Sequence, residues 1–229
     1  MKKAFKQAFL DTVPVMTGYL FLGAGFGIIL NEAGYGPVWA LAMSGFIYAG
    51  SCQYLLVELL SKGTGLVSIA LATLLVNARH LFYGLSMAED YRDAGTKKPY
   101  LIFALTDETY SLVTQRHRTP EGMSRIGYCF TVSLLDHCYW IVGSVIGSLL
   151  GQLPLDFTGV EFVLTALFVT MFVEQWLTTK DHFPAVVGVL STLVCLLIFG
   201  SEVFLIPSMV VIALLLTVRC KTGKGSADV

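Results

Sequence analysis

The sequence predicts an all-α protein, a polytopic transmembrane helix bundle of seven to eight spans forming one integral membrane domain over 1–229. Composition is the first observation behind this. Of 229 residues 55% are hydrophobic and 14% charged, against about a quarter charged in soluble domains. The second is length: apolar runs at 13–31, 38–60, 66–88, 126–150, 160–177, 184–200 and 203–218 can each cross a bilayer, the last two only if nearly upright. The third is where the charges sit, because Lys and Arg cluster in the gaps between runs.

The first run follows Lys2, Lys3 and Lys6. It is too long for a signal peptide and lacks a small-x-small cleavage site, so it is expected to persist as a helix. It carries Pro14, Gly18, Gly23, Gly25 and Gly27, and its Gly23-x-x-x-Gly27 spacing recurs as Gly143, Gly147 and Gly151. Small residues at that spacing let helix backbones approach closely. Glycines beside a proline also permit a span to break, but packing is the commoner reason for them. The second run aligns Gly45, Ala49 and Gln53 on one stripe, where a membrane-embedded Gln is either interhelical glue or a ligand contact.

The third run holds Asn77-Ala-Arg79-His80 near the bilayer midplane. A charge there costs about 2.5–3.5 kcal/mol, so it marks a functional site. Asn77, Arg79, His80, Tyr83 and Ser86 share less than half of the helix circumference, and the opposite arc is Leu, Ile and Ala. One side of this helix is wet.

The gap 89–125 contains PYLIFALTDETYSLVTQ, 99–115, with Asp107 and Glu108 at its centre. A crossing, or a deep re-entrant pass, puts Lys62, Arg116, Arg118 and Arg125 with the terminal lysines inside and leaves Arg92, Lys97 and Lys98 outside. The positive-inside rule favours that over a surface helix. Such a pass needs both acids buried against protein or water. Asp136 and His137 make a further polar pair at midplane, and Glu174 and Gln175 lie near a span end. Arg79 therefore has several candidate counter-charges. A faint repeat spaces Asp11–Gly18 like Asp136–Gly143, and its orientation rests on segment 99–115. Cys52, Cys129, Cys138, Cys195 and Cys220 form no CxxC pair and read as small hydrophobic residues.

Other classes fit poorly. The net charge of -1 gives no sign of nucleic acid. There is no GxxxxGK[ST], so no nucleotide cofactor is implied, and no HExxH or GxSG with a matching His points to an enzyme. A permease subunit of an ATP-driven amino acid importer is the main alternative. Glu89–Gly95 has the spacing of its docking loop but lacks the alanine pair, and the charges place it outside.

The strings GFIYAGSCQ (45–53), NARHLFYGLSM (77–87) and LTDETY (105–110) resemble the AzlC family, the AzlC/BrnF-type large subunit of two-component branched-chain amino acid exporters. The resemblance covers essentially the full length and is looser in the second half. It implies secondary efflux of leucine, isoleucine, valine and in some members methionine across the cytoplasmic (inner) membrane, with a small AzlD/BrnE-type membrane subunit. The residues suit such a cargo. Arg79 can fork onto a carboxylate, Asp107 or Glu108 can face an ammonium, and Asn77, His80, Tyr83 and Gln53 complete the expected binding set. His80, Asp107 or Asp136 could carry a coupling proton.

Overall fold

A computed structural model describes residues 2–115, 118–157, 159–160, 162–200 and 204–221. Arg116, Glu202 and Lys224 lie outside the described residues, as do the side chains of Glu174, Gln175 and Cys220. Every expected apolar run is helical: α1 (Lys2–Glu32), α2 (Pro37–Phe46), α3 (Gly50–Ser61), α4 (Leu66–Val76), α5 (Ala78–Ser86), α6 (Lys98–Phe103), α7 (Asp107–Val113), α8 (Arg125–Leu150), α9 (Phe162–Thr178), α10 (Phe183–Phe199) and α11 (Leu205–Lys221). Phe5–Glu32, Leu66–Ser86 and Arg125–Leu150 are long and apolar enough to span a membrane. The all-α bundle expected from the sequence is thus present.

The chain divides into two compact units, 1–63 with 76–163, and 64–75 with 164–229. In the first, α1 and α8 form a parallel pair. The Tyr128 hydroxyl donates to Asp11 at one end (3.0 Å), and Asn31 Nδ2 donates to the Gly151 carbonyl at the other (2.8 Å). Between these the glycines interlock. A Cβ on Gly23 would lie 3.0 Å from the Ser144 nitrogen, and one on Gly143 would lie 2.8 Å from the Tyr19 carbonyl oxygen. Gly27 faces the Ser144 carbonyl and Gly147 the Ala24 carbonyl more closely still. Gly23, Gly25 and Gly27 therefore serve packing, whereas a Cβ on Gly18 would meet nothing within 4 Å, and α1 runs unbroken through Pro14. The Gly143/Gly147/Gly151 stripe is covered by α1 of the same chain.

The parallel pair acts as a ruler for the rest of the unit. Segment 37–61 enters from the Asn31 end and turns back. α2 descends until the Ser44 carbonyl meets His137 Nε2 (3.1 Å). The chain breaks at Tyr48, which takes a left-handed φ of 44°. α3 then rises, with Gly50 against the Trp140 ring, 3.0 Å from where its Cβ would sit, and the Tyr54 hydroxyl donating to the Leu22 carbonyl (2.6 Å) beside Phe26.

Segment 98–113 does the same from the Asp11 end. α6 climbs along α8, from Lys97 over Phe130 to Tyr100 and Phe103 beside His137. After the break at 104–106, α7 descends from Thr109, bonded to Asp136, to Val113, whose carbonyl accepts from Arg125. Leu101, Leu105, Leu112 and Val113 are buried with Ala8, Met87, Tyr91, Tyr128 and Val132. This rules out a surface helix for 98–113 and makes it a hairpin that returns to its own end. Arg92, Lys97 and Lys98 thus lie at the same end as Arg118 and Arg125 and are not separated from them as the sequence reading expects.

The expectation that 38–60 crosses is corrected here. Its length suffices to cross, but length cannot distinguish a span from a hairpin whose tip lies mid-depth. Placement of the 87–94 loop changes with it. Asp90 pairs with Arg125 (3.3 Å), and Met87 and Tyr91 belong to the same buried cluster as Ala8, so this loop shares the amino-terminal end. Asp11 and Asp136 sit at different levels, because Asp136 lies level with Tyr19, whereas the Gly23/Gly27 and Gly143/Gly147 pairs coincide.

In the second unit α10 and α11 are antiparallel. Asp181 before α10 pairs with Arg219 near the end of α11 (2.9 Å), and that guanidinium lies 4.2 Å from the Phe183 ring centroid. Trp176 of α9 stacks on His182 (4.1 Å) at the same end.

Candidate substrate site at the hairpin tips

The two hairpin tips converge on the wet face of α5. Ser51 is the second residue of α3, Arg79 the second of α5 and Asp107 the first of α7. Arg79 Nη1 pairs with Asp107 Oδ2 at 2.6 Å, and Arg79 Nη2 donates to Ser51 Oγ at 3.1 Å. Among the candidate counter-charges the structure thus selects Asp107. The local sequence explains each start. Thr106 caps α7 by accepting from the Thr109 amide (3.3 Å), and Asp107 and Glu108 fill its first turn, where acids favour the helix dipole. Asn77 sits at φ -88°, ψ 0° and interrupts the helix between α4 and α5. Leu81, Phe82 and Leu85 on the opposite arc of α5 are exposed, as a lipid-facing side requires.

The remaining expected residues divide between this site and its supports. His80 Nδ1 bonds the Asn77 carbonyl (3.2 Å), and its ring lies edge-on to Tyr83 (5.8 Å), which stacks on Tyr110 (4.5 Å). All belong to the same face. Gln53 is fully buried elsewhere: its Oε1 accepts from Trp140 Nε1 (2.8 Å), and its Nε2 reaches Ser44 Oγ at 3.5 Å. That geometry is the interhelical glue, holding the 37–61 tip to α8.

Glu108 and Asp136 lie at the two ends of a separate buried chain. The Tyr19 hydroxyl is 2.8 Å from Glu108 Oε2 and 2.6 Å from Thr106 Oγ1. Thr106 Oγ1 is 3.1 Å from Thr109 Oγ1, which is 2.9 Å from Asp136 Oδ2. Sequence reasoning missed Tyr19, Ser51, Thr106 and Thr109. A signal existed for Thr106, since Thr-Asp-Glu is a helix start placed inside an apolar run. Tyr19 gave none, being one aromatic in a glycine-rich span.

Around the Arg79–Asp107 pair three buried polar atoms form no hydrogen bond to the described residues: Arg79 Nε, Asn77 Oδ1 and Asp107 Oδ1. One is a donor and two are acceptors. A buried group of this kind is costly without a partner, and the set matches the two ends of a zwitterion.

The fold and this site define a helical membrane protein with a polar, mid-depth site built from broken helices. The chain belongs to the AzlC family, whose description, AzlC protein, matches residues 14–153. It is 39% identical to the branched-chain amino acid transport protein AzlC of Bacillus subtilis, over 95% of this chain and 86% of that protein. It is 43% identical to an uncharacterized membrane protein of Helicobacter pylori, over 93% of this chain and 94% of the relative. The inner membrane protein YgaZ of Escherichia coli is 26% identical over 75% of this chain. No solved structure matches the chain.

Proposed function

We propose that this protein is a secondary transporter that exports branched-chain amino acids across the cytoplasmic membrane, working with a small membrane subunit and coupled to protons. The observation that carries the reading is the unused hydrogen-bonding capacity at the hairpin tips. Arg79 Nε offers a donor to a carboxylate, and Asn77 Oδ1 and Asp107 Oδ1 offer acceptors to an ammonium. The starts of α3 and α5 add positive dipole ends beside Arg79, an arrangement transporters use for anionic groups at broken helices. His80, Tyr83 and Tyr110 supply the flank. The Bacillus relative's name supports the choice of cargo. Direction and the small subunit come from the family resemblance alone.

The hairpins also give a consistent sidedness. With 37–61 and 98–113 returning to their own sides, among the described residues of the first unit Lys6, Arg92, Lys97, Lys98, Arg118 and Arg125 fall on the amino-terminal side and Lys62 alone on the other. This asymmetry is sharper than a crossing 38–60 produces, and it makes the amino-terminal side cytoplasmic. Read as three crossings, α9, α10 and α11 return the chain to that side, so both termini are expected inside. A periplasm-dependent reporter fused after Val229 is expected to be inactive, and strong activity would defeat this topology.

The direct test of cargo is uptake of labelled leucine, valine, methionine and alanine into inverted vesicles, with and without the small subunit and a pH gradient. Accumulation of leucine and valine over alanine, driven by the gradient, is the expected result. Equal, gradient-independent leakage of all four would overturn it.

A further inference from the structure

We propose that Glu108 and Asp136 share a single exchangeable proton, relayed between them through the hydroxyls of Tyr19, Thr106 and Thr109. The inference rests on the proton-coupled reading above and assigns that coupling to named groups.

It follows from counting hydrogens. The chain Glu108–Tyr19–Thr106–Thr109–Asp136 has oxygen–oxygen links of 2.8, 2.6, 3.1 and 2.9 Å. Each link needs one hydrogen, and each hydroxyl supplies one. Three hydroxyls cannot fill four links. With both acids ionised, one pair of buried oxygens is left facing lone pair to lone pair. With both acids protonated there is one hydrogen too many, and a buried donor loses its acceptor. One added proton satisfies every link, and it does so in two ways. When Glu108 carries it, Glu108 donates to Tyr19, Tyr19 to Thr106, Thr106 to Thr109 and Thr109 to Asp136. When Asp136 carries it, every donation reverses.

Moving between these states balances. Each hydroxyl oxygen loses one hydrogen and gains one, Glu108 becomes a carboxylate and Asp136 a carboxylic acid. The two ends differ in access. Asp136 is fully buried, and its Oδ1 has no hydrogen-bond partner among the described residues, whereas Glu108 directly adjoins Asp107 of the substrate site. Glu108 is therefore where the proton exchanges, in step with the tips, and Asp136 is where it is held.

The neighbouring charged and titratable groups leave the count intact. Arg79 and Asp107, which face Glu108, are engaged with each other. His137 beside Asp136 is bonded to Tyr100 and to the Ser44 carbonyl. Tyr48 is a fourth hydroxyl, close to those of Tyr19 and Thr109, but it stands beside the chain and occupies none of its four links.

Two experiments on the full-length protein in liposomes test this. Tyr19→Phe and, separately, Thr109→Val interrupt the relay and keep both acids. Each variant is expected to retain leucine exchange with no gradient and to lose leucine accumulation driven by a pH gradient. Normal gradient-driven accumulation in both would overturn the relay. Infrared absorbance of buried neutral carboxyl groups supplies the second readout, which needs no transported substrate. Glu108→Gln and Asp136→Asn each provide an amide donor in place of the shared proton, so either substitution alone is expected to abolish the parent's signal. A signal that survives in either single variant assigns a private proton to the remaining acid and overturns sharing. Should the parent move no leucine at all, the cargo reading fails, while the infrared result still decides the shared proton.

Discussion

Gly147→Leu is expected to remove most of the folded protein from the membrane. Gly147 sits directly on the backbone of Ala24, where even a methyl group overlaps main-chain atoms that cannot swing away as a side chain would. A leucine there must push α1 off α8 along the whole glycine seam. Ordinary overpacking costs roughly 1–3 kcal/mol where side chains can yield, and here they cannot. The damage reaches the site as well, because α8 carries Asp136, His137 and Trp140, which hold both hairpin tips, and α1 carries Tyr19. Gly45 is the control: a Cβ there meets nothing within 4 Å. Gly45→Ala should accumulate like the parent, while Gly147→Ala already reduces yield and lowers the melting temperature of purified protein. Equal yields for Gly147→Leu and the parent would show that α1 and α8 do not pack as described.

Arg79 carries the second large effect. Its guanidinium ties the 98–113 tip through Asp107 and the 37–61 tip through Ser51, while its Nε stays available. Arg79→Ala leaves Asp107 without its cation. Breaking a fully buried pair costs about 3–5 kcal/mol, and this pair, with side chains 31% and 28% exposed, loses less. The Ala variant is therefore expected to reach the membrane in reduced amount and to transport no leucine. Arg79→Lys retains the charge but cannot hold Asp107, Ser51 and a carboxylate together from one planar fork. Losing one charge-assisted hydrogen bond of about 1.5–3 kcal/mol raises the leucine KM roughly tenfold to a hundredfold at near-normal protein levels. Normal transport by Arg79→Lys would reduce Arg79 to a structural counter-charge. Normal transport by Arg79→Ala would remove it from the mechanism.

Much of this site could be read from the sequence because the bilayer makes polar residues conspicuous. Asn77, Arg79, His80, Asp107, Glu108 and Asp136 stand out against apolar runs for the same reason that they are costly there. Hydropathy records how much chain is apolar, and it is silent on direction. A run that enters and returns looks the same as one that crosses, so 38–60 reads as a span in the sequence. The breaks had faint local signs, in Thr106-Asp107-Glu108 and in Tyr48 followed by Ala49-Gly50-Ser51. Which acid Arg79 meets depends on contacts 28 residues apart, and Tyr19 reaches Glu108 across 89. Neither pairing leaves a periodic signature.

Sidedness of residues 62 and 97 tests the central claim, that two re-entrant hairpins bring their tips to Arg79. In a background whose native cysteines are replaced, Lys62→Cys and Lys97→Cys would be exposed in intact cells to a membrane-impermeant thiol reagent. The hairpins place position 62 outside and position 97 inside, so Lys62→Cys should label and Lys97→Cys should label only after permeabilisation. Two crossing segments require the reverse. Labelling of Lys97→Cys but not Lys62→Cys in intact cells would contradict the account.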